Sequence, residues 1–215
     1  MTIEKKLICQ QNKNGKYGFV NEEGKEVIPF IYEKATEFQD GFAMVLDHEQ
    51  HIRKFIDTNG KIVFTLECDG AATPEGGLVG FLKNNKFGVA DIAAGKIIVT
   101  CEYDEITDIA DFGFLLQKKK KFGIADLEGN LILPCKYDAI VPFNLCVDGK
   151  VFLRIHLKNK VGLADIKGKM LVKCEVDDIR VKLGRGKNKG KYRIEMCLGN
   201  YWFGIRSSEM DFETY

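Results

Sequence analysis

The sequence predicts an all-β fold: a tandem array of about six three-stranded antiparallel units. Three observations carry that expectation. A Lys-aromatic-Gly-aliphatic phrase recurs in register, an Asp-to-Gly turn signal follows it at a fixed distance, and an apolar β-rich run follows the turn. Internal similarity has to be established before any single element is assigned, because a missed period misassigns the whole fold.

The first copy runs Lys16-Tyr17-Gly18-Phe19-Val20-Asn21, reaches Gly24, and returns through Val27-Ile28-Pro29. A second is Lys54-Phe55-Ile56-Asp57, with Asn59-Gly60 and Ile62-Val63, and it lacks the early glycine. Lys86-Phe87-Gly88-Val89-Ala90-Asp91 leads to Gly95 and Ile97-Ile98-Val99. Lys121-Phe122-Gly123-Ile124-Ala125-Asp126 leads to Gly129 and Leu131-Ile132-Leu133-Pro134. Lys160-Val161-Gly162-Leu163-Ala164-Asp165 leads to Gly168 and Met170-Leu171-Val172, and Tyr201-Trp202-Phe203-Gly204-Ile205 opens a sixth. The spacing from aromatic to aromatic is irregular, about 32 to 42 residues, within the range of repeat architectures.

Each copy reads as a β-hairpin. Phe122 and Ile124 alternate with Gly123 and Ala125, the period of two expected of a strand. Asp126 to Gly129 carries turn chemistry, because Asp bonds its own downstream backbone and Gly supplies positive φ. A third strand follows each hairpin: Phe42 to Leu46, Leu78 to Leu82, Phe112 to Leu116, Val151 to Leu157 and Tyr192 to Leu198. Glycine after the aromatic leaves one face thin, so another backbone or ring can come close. The chain therefore reads as one repeat domain over 1–215. Its parts are a cap strand in 1–15, units at 16–50, 51–85, 86–120, 121–159 and 160–200, and a partial unit at 201–215. The complementary ends suit an open, capped, solenoid-like array. The alternative is a closed propeller-like ring, which would remove a sheet edge.

Bulk composition narrows the class. The chain has 215 residues, 29% charged and 45% hydrophobic, with 11% aromatics and only 4 Pro, an ordinary globular composition. A net charge of +1 gives no global pull toward nucleic acid or anionic membrane. No stretch approaches the roughly 20 apolar residues of a membrane span. No signal-peptide core follows Met1-Thr2-Ile3, and 7 Cys at irregular spacing argue against a secreted disulfide framework. A cytoplasmic location is the expectation.

Beyond the Lys-aromatic-Gly opening, further phrases recur: Tyr103-Asp104-Glu105-Ile106, Tyr137-Asp138-Ala139-Ile140 and Phe38-Gln39-Asp40-Gly41-Phe42-Ala43. Together they resemble the bacterial WG repeat, also called the KWG repeat, over nearly the whole chain. The sequence departs from it by placing Tyr17, Phe55, Phe87, Phe122, Val161 and Phe203 where the family name expects Trp. The resemblance implies a repeat array, usually of unassigned function, and brings no catalytic residues to this chain.

Few residue patterns point to chemistry. Cys101, Cys135 and Cys174 share one repeat position with Phe30 and Leu66, an exchange that marks an apolar site rather than a column of metal ligands. His48, His51 and His156 are the only histidines, and Ser207 and Ser208 the only serines, so hydrolysis through a serine nucleophile is not expected. Asp57, Asp91, Asp126 and Asp165 recur at the strand-to-turn step and read as turn closers. Glu33, Asp104, Asp138 and Asp177 recur after the Tyr position and could face a cation or a basic partner. Lys118-Lys119-Lys120-Lys121 reads as a solvated hairpin turn that protects a sheet edge.

The one candidate binding feature is a Gly-spaced basic run. Lys182, Arg185, Lys187, Lys189, Lys191 and Arg193 could hold an acidic protein surface or a phosphate. No interleaved aromatics suggest base stacking there, so nucleic acid is not the expected partner. No catalytic residue, cofactor or metal is assigned. The expectation is a cytosolic, non-catalytic protein-interaction module, specifically an inhibitor or immunity-type protein that acts by occluding its partner. The alternatives are an enzyme using the carboxylate rows and a nucleic-acid or phosphate binder using the 182–193 run.

Overall fold

The computed structural model of the protein describes residues 6–47, 51–109, 112–144, 151–183 and 192–204. The fold class is as expected: strands and turns throughout, in six antiparallel sheets of three or four strands. Strand order within each sheet is chain order. The chain divides into two compact units, Met1–Glu105 and Ile106–Tyr215.

In the first unit, β1 (Ile8–Gln11), β2 (Tyr17–Val20) and β3 (Glu26–Tyr32) form one sheet. The next contains β4 (Lys34–Ala35), β5 (Phe42–Leu46), β6 (Ile52–Asp57) and β7 (Ile62–Glu67). The third contains β8 (Gly70–Ala71), β9 (Leu78–Lys83), β10 (Lys86–Asp91) and β11 (Lys96–Tyr103). The fourth sheet contains β12 (Glu105–Asp108), β13 (Phe114–Lys118), β14 (Lys121–Ala125) and β15 (Leu131–Tyr137). The fifth contains β16 (Ala139–Asn144), β17 (Val151–Leu157), β18 (Lys160–Asp165) and β19 (Met170–Val176). The last contains β20 (Asp178–Leu183), β21 (Tyr192–Leu198) and β22 (Tyr201–Gly204).

The sheets divide the chain differently from the repeat units read in the sequence. Each third strand bonds to the Lys-aromatic-Gly strand that follows it: Phe42 faces Asp57, and Phe114 faces Ala125. A two-residue turn joins most of these pairs. Asn84-Asn85, Lys119-Lys120 and Lys158-Asn159 all have positive φ at both residues, the twist that a two-residue hairpin requires. The lysine run is thus a hairpin turn, with Lys118 facing Lys121. The return strand ends the sheet, and the chain then crosses to the next one.

Within each unit, consecutive sheets bury their apolar faces against each other. In the first unit Leu7, Phe19, Ile28, Tyr32, Val45 and Ile56 form one core, and Phe55, Leu66, Cys68, Val79, Phe81 and Ile92 the next. In the second unit Ile124, Leu133, Tyr137, Leu153 and Ile155 pack together, as do Phe152, Leu163, Val172, Ile179 and Ile194. The residue two places after the repeat aromatic is buried in each of these copies, and at the aromatic position itself Val161 is buried too. Phe19, Val89, Ile124 and Leu163 are buried, whereas the aromatic Phe87 is 42% exposed.

Backbone register corrects two alignments. In the complete copies the aromatic lies four residues before the turn Asp or Asn. Asp57 closes the second turn through bonds to the N–H groups of Asn59 and Lys61. Arg53 therefore takes the aromatic position, Lys54 the glycine position, and Phe55 the buried aliphatic position. In the sixth copy Trp202 faces Cys197, as Val161 faces His156 and Phe87 faces Leu82. Trp202, rather than Phe203, holds the aromatic position there.

The repeat glycine has a defined job. Two steps along the first hairpin strand, from Phe122 to Ile124, answer four along the return strand, from Tyr137 to Leu133. The same bulge separates Tyr17/Tyr32 from Phe19/Ile28, Phe87/Tyr103 from Val89/Val99, and Val161/Val176 from Leu163/Val172. The bulged backbone folds onto the glycine. A Cβ on Gly123 would sit 2.6 Å from the Leu133 carbonyl oxygen and 2.8 Å from the Cys135 amide nitrogen. Close approach was expected, but it comes from the same sheet and not from a neighbouring one. In the second copy, where Lys54 replaces glycine, the ladder runs step for step through Phe55/Phe64, Lys54/Thr65, Arg53/Leu66 and Ile52/Glu67. The glycine-seated bulge is absent there, and the one register shift falls between Phe55/Phe64 and Ile56/Ile62.

Candidate functional site

The recurring Asp side chains at the turns are engaged with the backbone. Asp57, Asp126 and Asp165 accept bonds from amides two or four residues on, and Asp91 from the Ala94 amide three on, as turn closers do. The second carboxylate row does something its sequence position did not reveal: it joins one sheet to the next. Asp138 donates its own N–H to the His156 carbonyl at 2.8 Å. Its Oδ2 accepts the Lys158 turn amide at 2.7 Å, and its Oδ1 pairs with Lys121 of its own sheet. Asp177 repeats the arrangement with the Cys197 carbonyl, the Gly199 amide and Lys160. Asp69 does the same with the Leu82 carbonyl and the Asn84 amide, although Cys68 precedes it where Tyr137 precedes Asp138. Glu33 pairs with Lys16, and Asp104 with Lys86.

The joints are electrostatically tuned. The Lys121 ammonium and then the Lys158 amide hold the Asp138 carboxyl below its ordinary range. Lys160 and the Gly199 amide do the same for Asp177. Their folded pKa values lie below the unfolded value of about 3.9. The stability they contribute is complete above that pH and is lost as pH falls through the depressed values. Urea midpoints are therefore expected to drop below about pH 4. In an Asp138→Asn/Asp177→Asn variant that pH dependence should flatten, as followed by circular dichroism.

The thiols fill the space the glycines leave. A Cβ on Gly88, Gly123 or Gly162 would meet the Sγ of Cys101, Cys135 or Cys174 at 2.9, 2.8 and 2.7 Å. The Cys135 and Cys174 thiols donate to the carbonyls of Leu116 and Ile155, the residues facing those glycines. Burial pushes the thiols of Cys101 and Cys174 above their ordinary pKa, away from the reactive thiolate. Phe30 fills the same space over Gly18.

The predicted basic site is only partly described. Lys182 and Arg193 face each other in the β20–β21 ladder. Arg185, Lys187, Lys189 and Lys191 lie outside the described residues. The same sheet carries an arrangement that sequence reasoning missed. Arg180 stacks over the Trp202 ring, 3.8 Å from its centroid, and donates from Nε to buried Glu195 at 2.7 Å. The signal was the charge alternation of Arg180 and Glu195, which becomes a pair only through the β20–β21 register. One side chain, Arg154, crosses from the preceding sheet and reaches the Ile179 carbonyl and the Asp178 carboxylate. His51 and His156 contribute backbone carbonyls to inter-strand bonds, and His48 lies outside the described residues.

Exposed apolar side chains recur with the repeat. Ile62, Ile97 and Leu131 occupy one position, at the start of successive return strands, and are 48%, 48% and 54% exposed. Phe87, Tyr201 and Phe203 are also exposed. Among the described residues no helix is long and apolar enough to cross a membrane.

These sheets, glycine bulges and carboxylate joints define a tandem β-repeat protein. The family model of the WG containing repeat matches residues 17–47, 55–87, 87–116 and 122–150, more than half of the chain. The protein belongs to the WG repeat family. No curated protein matches it. Among solved structures, a eukaryotic initiation factor is 10% identical, with a TM-score of 0.45 over 95% of this chain; the match spans 60% of that chain's length. Hsv2 of Kluyvelomyces marxianus is 8% identical, with a TM-score of 0.37 over 90% of this chain and 73% of its own. A virginiamycin B lyase from Staphylococcus aureus, solved with quinupristin, is 16% identical, with a TM-score of 0.29 over 94% and 74%.

Proposed function

We propose that the protein is a non-catalytic interaction module that acts in the bacterial cytoplasm by binding and occluding a protein partner. One observation carries this reading. The carboxylate rows that recur with the repeat are spent on turns and inter-sheet joints, and the surface keeps recurring apolar side chains at Ile62, Ile97 and Leu131. Repeat proteins use such recurring surface positions to bind a partner. The basic run from Lys182 to Arg193 adds electrostatic steering toward an acidic partner surface.

Capture from a lysate of the native host with the tagged full chain is the test. The expected result is one stoichiometric protein, lost when Ile97 and Leu131 are both replaced by Glu while the circular dichroism spectrum is unchanged. Weaker capture in a Lys187→Ala/Lys189→Ala/Lys191→Ala variant would assign steering to the basic run. Salt-sensitive retention of RNA or DNA with no protein partner would replace this reading with the nucleic-acid alternative.

A further inference from the structure

Among the described residues β22 is the last strand of the sixth sheet, whereas the five preceding sheets each end in a return strand. Leu198 faces Tyr201 around the two-residue turn Gly199-Asn200, so these two residues bond each other and the phase alternates from there. Tyr201 and Phe203 turn their N–H and C=O groups to β21, and Trp202 and Gly204 turn theirs outward. Val161 and Leu163 hold the corresponding places in β18, and they pair with Val176 and Val172 of β19. A bulged strand like β19 is excluded at β22, because Phe203 stands where Gly162 stands. A Cβ on Gly162 would lie 2.8 Å from the Val172 carbonyl oxygen. A straight strand is admitted: Lys54 holds the glycine position in the second copy, and its ladder with β7 is regular from Ile52 to Phe55.

Residues 205–215 lie outside the described residues, and their sequence supplies an occupant. Arg206 and Glu209 stand where Asp126 and Gly129 turn the fourth copy, so the usual five-residue turn lacks its chemistry. A two-residue turn at Ser207-Ser208 is left, of the kind that Lys119-Lys120 makes without glycine. That turn sets Arg206 against Glu209, Gly204 against Asp211, Phe203 against Phe212 and Trp202 against Glu213. The outward groups of Trp202 and Gly204 then meet bonded partners, and the two Phe side chains fall at a non-bonded pair, where side chains approach most closely. The charges agree with this register. Arg206 opposes Glu209, and Glu213 comes beside Arg180, which stacks over Trp202. Glu195, a carboxylate already on that face, is bonded by the Arg180 Nε. The period of two in Glu209-Met210-Asp211-Phe212-Glu213 puts every acid on the face of Trp202, and Met210 and Phe212 on the face of Phe203 and half-buried Met196. From the outward backbone of β22 and this complementary pattern we infer that β22 is the docking edge for residues 209–213 of the same chain, which close the sixth sheet as its fourth strand. The inference does not depend on the protein-capture reading above, which concerns other residues.

Amide hydrogen exchange of the full chain tests it, read at Trp202 and Gly204 by NMR. The expected result is that both amides are protected, independently of protein concentration. Asp211→Pro removes an N–H that faces β22, so both amides should fall to the exchange rate of a free edge while the circular dichroism spectrum stays that of the parent. Trp202 is the only tryptophan of the chain, so acrylamide quenching of its fluorescence should rise in the same variant. Arg206→Glu should lower the protection by up to about fivefold, the worth of one surface ion pair. Adding Glu209→Arg should restore it. Unprotected Trp202 and Gly204 amides in the parent, or protection that survives in folded Asp211→Pro, overturns the inference. Protection that grows with protein concentration also overturns it, because a second copy then supplies the strand. If Asp211→Pro does not fold, the charge pair decides: an Arg206→Glu variant protected like the parent overturns it.

Discussion

Gly123→Val is expected to lower the free energy of unfolding by about 3 kcal/mol or more, at or above the upper end of the cost of overpacking a tight site. The added Cβ would lie 2.6 Å from the Leu133 carbonyl and 2.8 Å from the Cys135 amide, and neither can swing aside as a side-chain tip would. Relief requires pulling the bulge flat, which costs the Phe122/Tyr137 register and exposes part of the core around buried Tyr137. Gly80→Val is the control. A Cβ there meets nothing within 4 Å, and the residue sits in β9 with ordinary strand conformation. That change should be neutral or slightly stabilising, because a β-branched residue suits a strand better than glycine. Urea unfolding of both variants checks the contrast, and equal losses would refute the close-approach account of the repeat glycine.

Phe55→Ala is expected to cost about 3–5 kcal/mol, the range for removing a buried aromatic. Phe87→Ala should stay within about 0.5 kcal/mol, as exposed substitutions do. Both were aligned in the sequence as the aromatic of Lys-aromatic-Gly, and on that alignment they would behave alike. Phe55 is fully buried among Leu66, Val79 and Phe81, whereas Phe87 is 42% exposed. Thermal or urea unfolding separates them directly. Similar losses would mean that the register of the second copy is wrong.

That pair also shows what the sequence could and could not disclose. The fold class was legible because Asp-to-Gly turns and alternating strands are local signals. The phase of the second copy was not. A strand has a period of two, so sliding Lys54-Phe55 by two residues keeps every side chain on its proper face. Only the turn Asp57, whose bonds to Asn59 and Lys61 are fixed by geometry, marks the true position. In the sixth copy the glycine after Phe203 pulled the alignment by one residue, and the Cys197/Trp202 pairing corrects it. The grouping of strands into sheets was equally hidden, because chain order is the same whether Phe42–Leu46 pairs backward or forward. The roles of Asp69, Asp138 and Asp177 depend on that forward pairing. Their partners lie 15 to 22 residues away, beyond the reach of any motif.

The seams at Asp69, Asp138 and Asp177 each draw one half from a copy and the other half from the hairpin turn of its successor. The turn contributes only backbone amides, so it need not have any particular side chains, and Asn84, Lys158 and Gly199 serve equally. A gene for such a chain could lose or duplicate one copy in phase and still present a matching half at the new junction. Copy number in this architecture is thereby released from side-chain identity at the turns, and the length of the array becomes something evolution can adjust in whole steps.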